Sequence, residues 1–444
     1  MFIPYRSFTA CLFWGLLLAN LCCGDSSTGF RTTQRTAGGK VQIVPVGNGF
    51  RLLREDRPYF IKGAAGRARP DLVRAAGGNA IRTYTTDGLD TLLDRAHALG
   101  LSVMAGIYLG RECEGFNYQD TLAVAQQHRM ALDVVERHKH HPALLCWALG
   151  NELDNESEQP QLMWRRVNEL ALAVKNADPD HPVTTCVSFW APSLKILFDG
   201  VPALDFVSIN AFGNLWEVDQ YFRQQIKQPY LISEWGTSGP WEVQRTEWSA
   251  PVEKSLREKH TQIRDTYRRH IAANTSHCLG SFAFYWGQKQ ETSPTWFSFF
   301  SENGEKTTLV DLSYELWGGG KPANQAPVPD TILAAGQGVT RNRYLQSGAI
   351  TDASVQATDP DGDPLSYRWE ITPEGSVFNP DDIGRELKPD SLRGLIVENA
   401  GKRIRFRVPA KTGPYRLAVL IRDGQGGAAY AALPFYAVNH QLVE

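Results

Sequence analysis

Glu152 and Glu234 stand where acid–base chemistry can be done. Glu152 follows the apolar run Leu144–Leu149 and the pair Gly150-Asn151, and Glu234 follows Tyr230–Ser233. A charged residue directly after a buried strand must reach a polar rim or find a partner, because burying an unpaired charge is costly. Two carboxyl groups delivered to one place can open an acetal. One protonates the departing oxygen and the other attacks the anomeric carbon, and retention of configuration asks for about 5–5.5 Å between them. A strand-ending Glu held by a local ion pair is the simpler reading of one such residue. It explains two of them, in matching contexts, much less well.

A scaffold that brings distant strand ends to one rim is a (β/α)₈ barrel, whose active sites sit at the C-terminal ends of the strands. Eight strand-like segments alternate with amphipathic stretches: Phe60–Lys62, Ala80–Tyr84, Ser102–Tyr108, Leu144–Leu149, Val183–Val187, Phe206–Ile209, Tyr230–Ser233 and Phe282–Trp286. By this count the two Glu residues end the fourth and seventh strands. Between strands, Leu89, Leu92, Leu93, Ala96 and Leu99 form one apolar helical stripe, closed by Gly100. Arg129–Lys139, Gln161–Asn176 and Pro251–Ala273 read as further helices. Val41–Tyr59 reads as a hairpin, turning at Gly47–Gly49, that closes the barrel floor.

The spacing predicts a leader over 1–24, a polar tether over 25–40, the barrel over 41–317, a Gly- and Pro-rich linker over 318–329 and an all-β immunoglobulin-like sandwich over 330–444. Its strands are expected at Ala353–Ala357, Leu365–Ile371, Arg403–Val408, Tyr415–Arg422 and Ala428–Tyr436.

The run Trp147–Glu152 resembles the acid/base motif of glycoside hydrolase clan A, and Ile232–Gly236 resembles its nucleophile motif. Phe60–Gly63, Gly77–Tyr84 and Leu99–Val103 resemble the opening strands of family 2 barrels and of fungal glucanosyltransferases. The resemblance implies Glu152 as general acid/base and Glu234 as nucleophile. Asn151 would hold the sugar 2-hydroxyl, Arg82 would hold Glu234 ionised, and Trp286 would form the floor under the bound sugar. An Arg beside a carboxylate lowers its pKa. The clan also commonly has a Tyr after the sixth strand that bonds the nucleophile; here Phe212 occupies that region, leaving Asn210, Tyr84 or Tyr285 to supply the bond. The stretch Asp359–Trp369 resembles polycystic-kidney-disease and cadherin-like modules found beside bacterial carbohydrate enzymes.

The remaining features narrow the reading. A net charge of −2 provides no basic field for nucleic acid. Arg6 and the apolar run Ala10–Ala19, about half the roughly 20 residues that span a bilayer, read as an export signal. Leu21–Asp25 resembles a lipoprotein cleavage site, with Cys22 or Cys23 as the lipid anchor. The expected location is therefore the periplasm, outer membrane or cell surface, or the medium. Trp190, Trp216, Trp235, Trp241, Trp248 and Trp296 fall on the catalytic side, where two or three of them, Trp235 included, are expected to stack on sugar faces. His138, His140 and His141 suit a helix end better than a metal. Asp359, Asp361 and Asp363 have calcium-turn spacing without an evident distal ligand. No cofactor or metal is expected.

Together these features point to a retaining hydrolase of a β-linked poly- or oligosaccharide. A transglycosylase using the same intermediate and a non-catalytic glycan-binding envelope protein are the rivals.

Overall fold

The computed structural model describes residues 40–439 except 227, 340–341, 376 and 379–385. The leader, most of the tether and the anchor candidates Cys22 and Cys23 lie outside the described residues.

Eight parallel strands close into a barrel. In chain order they are Ile61–Ala65, Ala80–Arg82, Ser102–Ile107, Leu144–Asn151, Val183–Ser188, Val207–Asn210, Tyr230–Trp235 and Cys278–Phe284. The eighth pairs with the first and so closes the ring. Side chains alternate along each strand. One set, including Met104, Cys146, Cys186, Leu231 and Phe282, fills the barrel interior. The other set, including Val103, Trp147, Val187 and Ile232, packs against the helices. The interior is filled to contact: a Cβ on Gly63 would lie 2.2 Å from the Phe282 ring.

The helices follow the expected stripes with shifted ends. Thr121–His138 starts well before Arg129, because the Asp120 carboxylate accepts hydrogen bonds from the Leu122 and Ala123 amides. The helix Leu256–Thr266 starts at a capping box formed by Ser255 and Glu258 and runs on through a wider turn, Tyr267–Ala272. At the floor, Val41–Val46 pairs with Gly49–Arg54 around Gly47 (φ 58°), and the Phe50 amide bonds the Ser276 carbonyl at 2.6 Å. His138 and His141 bond Asp90 and Asp94, at 2.7 and 3.2 Å.

The eighth strand departs from the expectation of Phe282–Trp286. It starts four residues earlier and ends at Phe284, after which the chain turns across the first strand. The four described cysteines, Cys113, Cys146, Cys186 and Cys278, are free thiols.

After the barrel, two four-stranded sheets pack face to face around Trp369, Phe406, Tyr415, Leu417 and Phe435. The five expected strands are present. Val328–Ala334, Tyr344–Gln346 and Ile396–Asn399 are additional, and the first of these begins inside the stretch read as linker. At the Asp-rich turn, Asp423 supplies the distal carboxylate that the sequence reading lacked: oxygens of Asp359, Asp363 and Asp423 lie within 4.8 Å of one another. Both oxygens of Asp423 already accept hydrogen bonds, from the amides of Gln425 and Gly427 and the side chain of Asn324. Those bonds account for it as a turn brace.

Replacing Phe282 by Ala is expected to cost about 3–5 kcal/mol, the range for emptying a core aromatic site. A urea melt checks this, and a loss below about 1 kcal/mol would mean that the barrel interior is not close-packed.

Candidate active site

The two acidic residues reach the barrel mouth by local distortions of their strands. The pairing of the fourth strand with the fifth shifts register between Ala148 and Asn151. Gly150 takes φ 73° and Glu152 takes φ 52°. A left-handed backbone at a non-glycine residue is held only when its surroundings determine it; here the Glu152 amide donates to the Cys186 carbonyl at 2.8 Å. A register shift also falls between Ile232 and Glu234 in the seventh strand. Such irregularities re-aim side chains at a sheet rim.

Arg82 ties the mouth together. Its guanidinium is 1% exposed. Nη1 donates to Glu234 Oε1 and to the Ser233 carbonyl, both at 2.8 Å, and Nη2 donates to Asn151 Oδ1 at 2.6 Å. Asn210 completes the link. Its Nδ2 donates to Glu152 Oε1 at 2.8 Å and to Asn151 Oδ1 at 3.1 Å, while its Oδ1 accepts from the Ser233 hydroxyl at 2.8 Å. Asn155 holds the other oxygen of Glu152 at 3.0 Å. Glu152 and Glu234 thus belong to one hydrogen-bonded network and line the same two cavities, of about 430 and 690 Å³.

The electrostatics differ from the expectation. The Glu234 carboxyl is raised to about 7: burial pushes it up, Arg82 pulls it down without cancelling that effect, and the nearby Glu152 adds to the rise. Arg82 therefore moderates the cost of burying Glu234 rather than driving its pKa below the usual carboxylate range. Tyr84 supplies part of what Phe212 cannot. Its hydroxyl is buried with no partner in bonding geometry, yet it is close enough to Glu234 to favour the charged form. Its ring lies under the Arg82 guanidinium, 4.4 Å from it.

Two aromatic residues expected at the substrate lie elsewhere. Trp286 is fully buried against Phe299, Phe300 and Trp317, because the strand ends at Phe284 and the Trp286 amide is drawn to the Ala65 carbonyl at 2.7 Å. Phe284 takes the wall position and lines both cavities. Trp235 follows the inward Glu234, so strand alternation turns it outward to stack on Tyr267 at 5.4 Å. Trp296 is buried, and Trp248 packs on Tyr344 and Tyr436 of the sandwich. Trp190 and Trp216 are exposed and line neither cavity. Of the six, only Trp241 lines the smaller cavity, in a cluster with Phe212 and Phe297. Lys289 was absent from the sequence reading. It lines both cavities, and although burial opposes its charge, Glu291, Glu234 and Glu152 outweigh that effect.

Residues 89–247 match the TIM barrel domain of glycosyl hydrolases family 2. Over this stretch the barrel is similar to a family 2 glycosyl hydrolase domain. Both Glu152 and Glu234 fall inside the matched stretch. The beta-glucuronidase of Chlorocebus aethiops is 24% identical over 221 residues, which is 45% of this chain and 32% of that protein. The Sus scrofa beta-glucuronidase is 27% identical over 169 residues, 37% of this chain and 24% of that protein. The chain thus spans a third or less of the length of these relatives. A calcium-binding mutant of Bacteroides uniformis beta-glucuronidase 2 shares the fold at a TM-score of 0.51 and 14% identity, covering 90% of this chain and 48% of that one.

NMR titration of carboxyl-labelled glutamate is expected to show one buried group, absent in Glu234→Gln, with a midpoint near 7. Tyr84→Phe removes a group that favours the charged form, so the midpoint should move upward. A midpoint below 5, or a downward shift in Tyr84→Phe, contradicts this electrostatic account.

Proposed function

We propose that the chain is a retaining β-glycosidase acting by double displacement, with Glu234 as nucleophile and Glu152 as general acid and then base. The observation that carries this reading is the single network Glu234–Arg82–Asn210–Glu152 at the mouth of a family 2-like barrel, with both carboxyl groups facing the same cavities. Glu152 protonates the departing oxygen as Glu234 forms a bond to the anomeric carbon. Once that ester forms, the charge on Glu234 is gone, and Glu152 takes a proton from the incoming water. Arg82 and Tyr84 steady the Glu234 carboxylate before attack. Asn151, held by Arg82 and Asn210, offers its amide to the sugar hydroxyl beside the anomeric centre. Phe212, Phe284, Phe297 and Trp241 provide an apolar wall that suits the CH faces of a pyranose.

A panel of aryl β-glycosides tests the reading. The names of the two relatives put β-glucuronides first in it, and Lys289, a cation lining both cavities, suits a carboxylate-bearing sugar. Glu152→Gln is expected to lose about 10²–10⁴-fold in kcat with a poor leaving group. It should lose much less with dinitrophenol, which leaves without a proton. Equal losses for both leaving groups would remove Glu152 from the acid role.

The acid limb of the wild-type kcat/KM profile should follow ionisation of Glu234. Activity rises with pH through about 7 and falls as Glu234 takes up its proton below it. A profile flat from pH 5 to 8 would show that Glu234 does not need to ionise in that range.

A further inference from the structure

The larger cavity at the catalytic pair is not built by the barrel alone. Its barrel side carries Tyr84, Asn151, Tyr285 and Lys289 with the two catalytic glutamates, and its other side is Glu386, Leu387 and Lys388, on and just after a short strand, Glu386–Leu387, that lies outside the two main sheets of the C-terminal sandwich, between its strands Ser366–Pro373 and Ile396–Asn399. These three residues follow the barrel's last helix, Thr308–Trp317, by about seventy positions, yet they face the residues that do the chemistry. Among the described residues the smaller cavity is lined from the barrel region, and it meets the larger at Glu152, Glu234, Phe284 and Lys289. The cleft therefore has two arms, one walled by barrel aromatics and one closed by the sandwich.

The sandwich segment is held in place from both sides. Both carboxylate oxygens of Glu386 accept the Thr292 amide proton at 2.9 Å. Thr292 has φ 61°, a backbone that a β-branched residue adopts only under constraint. The loop carrying Lys289 is thus pinned to the sandwich. Lys388 spans the junction, pairing with Glu302 of the barrel region at 3.1 Å and with Glu370 of a sandwich strand at 2.9 Å. Further ties lie away from the cleft: Arg257 to Asp330 at 2.6 Å, Arg422 to Glu305 at 2.6 Å and the Tyr344 hydroxyl to Glu247 at 2.6 Å. A module serving only as a spacer has no need of a segment over the catalytic carboxyls.

We infer that Glu386, Leu387 and Lys388 form one wall of the substrate cleft and bind sugar units beyond the one at the reacting bond, so that the sandwich is part of the machinery that selects an oligosaccharide chain. The inference rests on the glycosidase reading above. The chemistry of the arm fits a polar chain: Gln288, Gln290, Glu302, Glu386 and Lys388 offer donors and acceptors to hydroxyls, and Tyr285 and Leu387 offer apolar surface.

The full-length chain tests it in two variants. Leu387→Trp narrows the sandwich arm, and Lys388→Ala removes a charged donor. Each is assayed on an aryl glycoside of a single sugar and on cello-, laminari- and xylo-oligosaccharides of increasing length. The ratio of kcat/KM for the longest cleaved oligosaccharide to that for the aryl glycoside should fall about tenfold, the size of losing one hydrogen bond to a charged group. Because the readout is a ratio, a general loss of folded protein does not move it, and thermal melts of both variants identify such a loss. An unchanged ratio in both variants overturns the inference. If the wild-type chain cleaves no aryl β-glycoside, glucuronides included, the glycosidase reading fails by itself; if it cleaves aryl glycosides but none of these oligosaccharides, that reading stands. Calorimetric binding of the same oligosaccharides then decides: binding lost in Leu387→Trp supports the wall, and binding unchanged, or absent in the wild type, overturns it.

Discussion

A buried guanidinium holds the barrel mouth in one arrangement. Arg82 comes from the second strand and bonds Glu234 and Ser233 of the seventh, Asn151 of the fourth and, more loosely at 3.4 Å, Asn210 of the sixth. A charge this deep is tolerated only with partners close to it on several sides, and removing one of them typically costs about 3–5 kcal/mol. The requirement works in both directions. Arg82 fixes the strand ends around it, and those ends supply the carboxylate that makes its burial affordable. The bends at Gly150–Glu152 and around Ser233 follow, since straight strands with regular alternation would not aim these groups at one point.

The same burial sets the chemistry. A carboxylate at the bottom of an apolar-walled cleft is poorly solvated, and Arg82 does not fully offset this, which leaves Glu234 near neutrality rather than in the ordinary acid range. A carboxylate that is weakly solvated and held by a fixed guanidinium is reactive once ionised, and its setting needs little reorganisation when it attacks. Glu152 gains its position differently, through a left-handed backbone and the amides of Asn210 and Asn155. Two residues of one type therefore sit in different settings, one bonded to a buried guanidinium and the other to two side-chain amides.

Much of this was legible in the chain. The eight barrel strands follow from apolar runs between amphipathic helices, and Glu152 and Glu234 from carboxylates placed just after two such runs. Arg82 is notable as a charge inside a strand that must be buried. Other features were hidden for identifiable reasons. Trp286 and Phe284 are two residues apart in an aromatic run, and composition does not show where the strand lets go. Trp235 would have been excluded by strict alternation from Glu234. Lys289 and Asp423 become significant only through long-range folding. So does the Glu386–Lys388 segment, which no local pattern connects to a site some 150 residues earlier in the chain.

The central claim is that Glu234 forms a bond to sugar carbon while Glu152 serves it with protons. The most direct test is to trap that bond, using an aryl β-glycoside of the preferred sugar fluorinated beside the anomeric carbon, which slows release of the sugar more than its attachment. Peptide mass spectrometry of the inactivated protein should find one sugar per chain, on Glu234 and not on Glu152. A label on Glu152 or another residue, or unlabelled protein that still turns the parent glycoside over, would contradict the account.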